Sequence, residues 1–198
     1  MTPDEFLQWS LDQEDKYELV DGEPVLMGDW VEEDGRTTFM AGAKNEHDII
    51  VVNLIVALAA RLRGGPCRPF TGDTAARMVA GNIRRPDVTV DCKPPERGST
   101  ESRAPTVFFE VLSRSTRGAD LIRKADEYRQ VSSLRHYVVI EPLSVHVTVW
   151  TRSGDGAWPV PVVLKSLDGS LDLSGISVSL PLTEIYDGVP FESRSSTP

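Results

Sequence analysis

Apolar positions along the chain recur with two different periods, and the breaks between them outline the elements. At the start, Thr2-Pro3-Asp4-Glu5 has the chemistry of a helix start: a hydroxyl cap, a proline in the first turn, and acids facing the positive helix end. Phe6, Leu7 and the residues at 9–11 supply an apolar face, which predicts a short helix ending near Gln13. The runs 17–20 and 24–27, separated by Asp21-Gly22, read as a hairpin, because Asp-Gly accepts the positive φ of a tight turn. The acidic stretch 29–38 reads as an exposed extension of that hairpin or a loop. Residues 44–63 form the clearest helix. Its apolar side chains occupy nearly every face, which predicts deep burial, and Gly64-Gly65-Pro66 ends it.

Strand-like segments follow at 68–70 and 75–79, with a Gly81-Asn82 turn, and RPDVTVDC at 85–92 alternates as a strand does. The segment 93–104, rich in Pro, Gly, Ser and charge, reads as a mobile loop. TVFFEVL at 106–112 is nearly continuous hydrocarbon with one glutamate, the pattern of a strand buried on both faces. A turn at 113–118 leads into a helix over 119–131, then two strands at 135–141 and 145–151 joined at Pro142. Further strands are expected around 158–164 and 176–180, and a disordered tail at 192–198. This order predicts a mixed central sheet flanked by helices, of the α/β or α+β type, in a single domain over 1–191 without a linker or repeat.

Composition narrows the class. A chain of 198 residues suits one domain with a substantial core, and 40% hydrophobic with 26% charged residues is a soluble globular balance. The apolar run 49–60 is interrupted by Asn53 and too short to span a bilayer. The acidic N-terminus carries no signal-peptide core or arginine-rich targeting pattern, so the expected location is the cytoplasm, with no membrane partner. Cys67 and Cys92 lack CxxC spacing and are too few for a disulfide scaffold, so they read as buried thiols. A net charge of −9 argues against a protein that coats nucleic acid, since that affinity comes from Lys and Arg displacing counterions. It leaves room for an enzyme whose carboxylates hold a metal.

No phosphate-binding glycine loop, GxSxG elbow or HExxH is present, and His47, His136 and His146 lack zinc-site spacing. His136 and His146 read as ordinary edge or surface residues of strands. What stands out is a combination. Asp87 follows Pro86 at a strand start, and Glu110 sits inside the most hydrophobic strand, where an uncompensated carboxylate costs several kcal/mol, roughly. Lys124 lies in the next helix, where Asp120, Lys124 and Tyr128 share one face at i, i+4 and i+8. Neighbouring Asp87 and Glu110 strands would let both carboxylates converge on one hard divalent ion such as Mg²⁺, with Lys124 steering water or compensating negative charge. The same residues also admit a structural reading: Glu110 as a buried ion pair, Asp87 as a turn cap, and Lys124 paired with Asp120.

YELVDGEPV (17–25), the His47 helix with Asn53-Leu54, RPDVTV (85–90), FFEVLSRSTRGAD (108–120), KADEY (124–128) and HYVVIEP (136–142) resemble the Uma2 family, also called DUF820. The resemblance spans roughly residues 4–185. It implies a restriction-endonuclease-like fold of the PD-(D/E)xK superfamily and a Mg²⁺- or Mn²⁺-dependent nuclease acting on DNA, as a homodimer. Asp87 then matches the acid of the PD motif and Glu110 the second acid, both as metal ligands. The lysine expected two residues later is Leu112, so Lys124 takes the catalytic role. Glu18 and His47 match two further polar positions, and Tyr128 would close the same pocket. Arg114 stands where the family commonly has proline. Arg84, Arg85, Arg114, Arg117 and Arg123 are candidates for a basic rim. Two alternatives stay open: an inactive nuclease-fold binding or assembly module, and a hydrolase of RNA or a small phosphodiester.

Overall fold

A computed structural model describes residues 1–33, 36–40, 44–113 and 119–191, with 29–33, 36–40 and 119 described by backbone alone. Helix α1 (Pro3–Ser10) begins at Thr2. The Thr2 hydroxyl accepts from the Glu5 N–H, and the Glu5 carboxylate accepts from the Thr2 N–H at 2.7 Å, so two orphan donors are satisfied reciprocally. Strands β1 (Tyr17–Val20) and β2 (Glu23–Leu26) form the expected hairpin, closed by Asp21 and Gly22 at φ 51° and 82°. The 29–38 stretch is itself a hairpin, β3 (Asp29–Glu33) and β4 (Arg36–Met40). Helix α2 (Asn45–Arg61) follows, then β5 (Arg68–Thr71), β6 (Ala76–Arg77), β7 (Ile83–Arg84) and β8 (Val88–Asp91). Next come β9 (Pro105–Val111), α3 (Ala119–Arg129), β10 (His136–Glu141), β11 (His146–Thr151) and β12 (Val162–Leu164). The chain closes with β13 (Ser170–Leu173), a 3-10 turn at Ser174–Ile176, β14 (Val178–Pro181) and α4 (Leu182–Ile185).

Among the described residues, six strands pair in the order β12-β11-β10-β9-β8-β5 and four in the order β2-β1-β7-β6. In the larger sheet β9 and β10 are parallel, joined through α3, and the other neighbours are antiparallel. This is the mixed sheet the sequence predicts. All seven residues of β9 are buried, because each face of that strand is covered. Val107, Phe109 and Val111 join Val88, Val138 and Ile140 against Ile50, Leu54 and Leu58 of α2. Phe108, on the alternate face, packs with Ala125 and Tyr128 of α3 and with Tyr137. Glu110 shares the parity of Phe108 and therefore belongs to the α3 side. The smaller sheet packs on α1 through Phe6, Leu19 and Ile83, and its β1 and β7 meet α3 through the Glu18–Lys124 and Arg84–Glu127 ion pairs.

Four expectations change. Helix α2 is not buried all round: Ile50, Leu54, Ala57 and Leu58 form the core stripe, while Val52 and Val56 are 51% and 63% exposed. Cys67 and Cys92 are joined by a disulfide. They stand one step beyond the Arg68↔Asp91 pair of β5 and β8, a cross-strand placement that spacing in the sequence does not reveal. His136 is fully buried, not an edge residue: its Nε2 accepts the Gly175 N–H at 2.9 Å and its Nδ1 lies 3.1 Å from the Thr151 hydroxyl. Burial pushes its pKa down to about 4. The approach requires glycine, since a Cβ on Gly175 would fall 2.6 Å from the Arg135 Cβ. Finally, the 93–104 segment is tied at both ends to the Asp91 carboxylate, which accepts from Lys93, Ser102, Arg103 and Ala104. The 192–198 stretch lies outside the described residues. No helix among the described residues is long and apolar enough to cross a membrane.

Candidate active site

Strands β8 and β9 pair with Val88 opposite Phe109, and one step further the same register sets Asp87 beside Glu110. Asp87 is anchored from two sides: its Oδ2 accepts the Val111 N–H at 2.7 Å, and its Oδ1 lies 3.3 Å from Nε2 of His47 in the first turn of α2. Glu110 Oε1 accepts the Tyr128 hydroxyl at 2.6 Å and lies 3.5 Å from Lys124 Nζ. Lys124 and Tyr128 reach it together because they stand one turn apart on α3. The lysine ammonium is also 3.3 Å from Glu18 Oε1 and 3.9 Å from Asp120 Oδ2. Asp87, Glu110, Lys124, Glu18, His47 and Tyr128, proposed from five separate stretches of sequence, are thus linked by these contacts and that register.

Behind Lys124 lies a second charged cluster. Glu18 Oε2 receives Arg84 Nη1 at 2.9 Å, and its Oε1 receives the Arg85 backbone N–H at 2.9 Å. Arg84 also forks across Glu127 through Nε at 2.7 Å and Nη2 at 3.0 Å, and Asn82 donates to Glu127 at 2.8 Å. This cluster was not anticipated. The available signal was Asn82 and Arg84 at i and i+2, which puts two polar side chains on one face of a strand.

The two clusters differ in electrostatic character. Burial pushes Glu110 up to about 7, with Asp87 and Glu18 adding to the effect and Lys124 and Tyr128 opposing it. For Glu18, burial acts in the same direction, but Lys124 and Arg84 outweigh it and the carboxyl is held below its usual value. Burial disfavours the Lys124 ammonium, yet Glu110, Glu18 and Asp120 overcome this and raise its pKa, so it stays charged. His47 behaves alike: burial lowers it, and the bond and charge of Asp87 raise it above its ordinary value. The Tyr128 hydroxyl is pushed well up by burial and remains a donor to Glu110.

These groups open on a cleft of about 720 Å³. Asp87, Glu110, Lys124 and Arg85 line it together with a face of α2 on one side and residues near 14–16, 27–28 and 71–73 on the other. Among the described residues, no group of three or more His, Cys, Asp or Glu is arranged to hold a metal ion, so a structural zinc site is not what the residues offer. Two hard carboxylates on a cleft wall do fit an ion that retains most of its waters, as Mg²⁺ does.

The expected basic rim does not form from the residues described. Arg84 is 1% exposed and held by Glu18 and Glu127. Arg85 donates to the Tyr17 and Asp73 carbonyls, and Arg123 is paired with Asp21 and Glu127. Arg114 and Arg117 lie outside the described residues. Leu112 packs with the cluster beneath α3, so the place of the usual lysine is hydrocarbon and the ammonium beside Glu110 comes from Lys124.

A mixed sheet covered on both faces, with Asp87 just before one strand and Glu110 next to last in its neighbour, is the arrangement expected of the restriction-endonuclease-like class. Within that class, the model of the Uma2 family, described as "Putative restriction endonuclease", matches residues 3–183, and the chain belongs to this family. A crystal structure from Anabaena variabilis, described as a putative nuclease belonging to DUF820, has a TM-score of 0.69 at 15% identity. That likeness covers 94% of this chain and 97% of the other. The uncharacterized protein slr1290 of Synechocystis is 31% identical over 193 residues, covering 96% of this chain and 94% of the relative. A second Synechocystis protein, sll1609, is 25% identical over 162 residues, 80% of this chain and 84% of its own.

Proposed function

We propose that the chain is an endonuclease that hydrolyses phosphodiester bonds of DNA with Mg²⁺ or Mn²⁺. One observation carries the reading: Asp87 and Glu110 stand side by side at the cleft, with the Lys124 ammonium 3.5 Å from Glu110. Asp87 and Glu110 would hold the ion, which when bound supplies positive charge to the phosphate and a water of lowered pKa. Lys124, kept charged by its three carboxylate neighbours, orients the attacking water or compensates negative charge as it develops on the phosphate. Glu18 positions Lys124 from behind, Tyr128 fixes the Glu110 carboxylate, and His47 fixes Asp87 while lining the cleft. From there His47 can meet a phosphate oxygen or a water.

The test is nicking of supercoiled plasmid with Mg²⁺, Mn²⁺ or chelator present. Nicking should require metal and fall at least 100-fold, on the order of 3 kcal/mol of barrier, in Asp87→Ala, Glu110→Ala and Lys124→Met. Wild-type rates in Asp87→Ala would refute the assignment. The rival reading, an inactive nuclease-fold binding module, is favoured by the tight enclosure of Lys124 among Glu18, Glu110 and Asp120. It predicts no metal-dependent cleavage of plasmid, RNA or a small phosphodiester. The proposal includes a homodimer, for which the edge strand β12, with Val162 and Val163 exposed in it and Val160 exposed just before it, offers surface. Sedimentation that shows only monomer would remove it.

A further inference from the structure

The cleft has a wall that hydrolysis itself does not use. Val51, Val52, Ile55 and Val56 recur at i, i+1, i+4 and i+5 on α2 and line the cleft in a row beginning at His47. From His47 to Val56 the helix rises about 14 Å. Val52 and Val56 are 51% and 63% exposed, so aliphatic side chains stand in water along the cleft that Asp87 and Glu110 line. A substrate that covered them would gain from their removal from water.

A DNA duplex turns its phosphates outward, and a phosphate pressed on hydrocarbon loses its water without gaining a partner. Duplex binding also rests on free Lys and Arg. Along the described part of this site, Arg84, Arg85 and Arg123 are committed to protein acceptors, and Lys16 is paired with Asp73 at 2.7 Å. An unpaired strand meets the same surface differently. Its phosphate can meet the ion that Asp87 and Glu110 would hold while the apolar face of a base rests on the valines, an aliphatic counterpart of the stacking platforms that hold single strands. We infer that the substrate is single-stranded DNA, or a locally unpaired stretch of it, with one base packed on Val52 and Val56. The inference rests on the hydrolytic reading of the site and assigns its substrate class.

End-labelled oligonucleotides of one sequence, as single-stranded DNA, duplex DNA and single-stranded RNA, separate the possibilities with Mn²⁺ as cofactor. The single DNA strand should be cut at least tenfold faster than the duplex. Val52→Asp/Val56→Asp should raise KM for it at least tenfold, with Tm and Mn²⁺ titration as in the wild type. If the aspartates disturb the helix, Val52→Thr/Val56→Thr should raise KM in the same direction. A duplex cut as fast as the single strand overturns the substrate class and leaves the hydrolytic reading standing. Faster cutting of RNA overturns the choice of DNA, and an unchanged KM in the variants overturns the role of the wall. Failure to cut any of the three removes both readings together.

Discussion

Under α2, the six-stranded sheet presents Val88, Val90, Val107, Phe109, Val138 and Ile140 to Ile50, Leu54 and Leu58, all hydrocarbon. Under α3, the same strands present Phe108, Glu110 and Tyr137 to Lys124 and Tyr128, with Asp87 at the strand end. The first face is held by area removed from water, and its members are exchangeable for others of similar volume. The second is held by particular pairs, and each loses its meaning without its partner. On that side the hydroxyls of Thr89 and Tyr137 are also buried without a hydrogen-bond partner among the described residues. Polar groups placed at a disadvantage in this way mark functional sites more often than structural ones. The comparison sharpens further within the polar side. The Arg84 cluster holds Glu18 and Glu127 low, whereas Glu110, facing the cleft, is pushed up to about 7.

The largest expected effect falls on Glu110. Glu110→Gln keeps an oxygen for the Tyr128 hydroxyl, so the fold should survive while cleavage falls about 1000-fold, some 4 kcal/mol of barrier. A fall in Tm without a fall in rate would move Glu110 into the structural cluster. Next comes Arg84→Met, which removes the buried cation shared by Glu18 and Glu127 and should cost about 3–5 kcal/mol in urea unfolding. Arg84→Met/Glu127→Leu should recover part of that, and a single-mutant cost under about 1 kcal/mol would show the cluster to be solvated.

On the hydrocarbon face, Leu54→Ala should cost about 2–5 kcal/mol and leave the cleavage rate unaltered well below Tm. A rate loss there would erase the contrast between the faces. The smallest effect belongs to the polar exception on that side, His136. Its folded pKa, about 4, lies below the ordinary 6.5, so the unfolded chain takes the proton first as pH falls. Its contribution is therefore complete above pH 6.5 and is lost between 6.5 and 4, up to about 3 kcal/mol. Unfolding free energies across that range should show the slope in the wild type and lack it in His136→Asn.

The difference between the faces also explains what could be read in the chain. TVFFEVL announces a covered strand because its hydrocarbon is continuous, and Asp120, Lys124 and Tyr128 share a face because helical spacing requires it. Glu110 stands out as the lone charge in that strand. Register is another matter, since it depends on pairing between distant segments. The adjacency of Asp87 and Glu110, the Cys67–Cys92 bridge and the burial of His136 under Gly175 all depend on such placement. Helix α2 misled for the opposite reason: aliphatic residues on every face gave no stripe to choose, so the exposed row beside the cleft was invisible. The Arg84–Glu127 pair joins β7 to α3 across a sequence separation of 43 and could be found only once both were placed.

The central claim is that Asp87 and Glu110 act as one metal-binding unit, and calorimetric titration of Mg²⁺ and Mn²⁺ tests it most directly. Wild-type protein should bind the ion, and Asp87→Ala/Glu110→Ala should not, with its far-UV spectrum intact. Binding that persists in the double variant, or a wild type that binds neither ion, would contradict the account and leave the two carboxylates as structural groups.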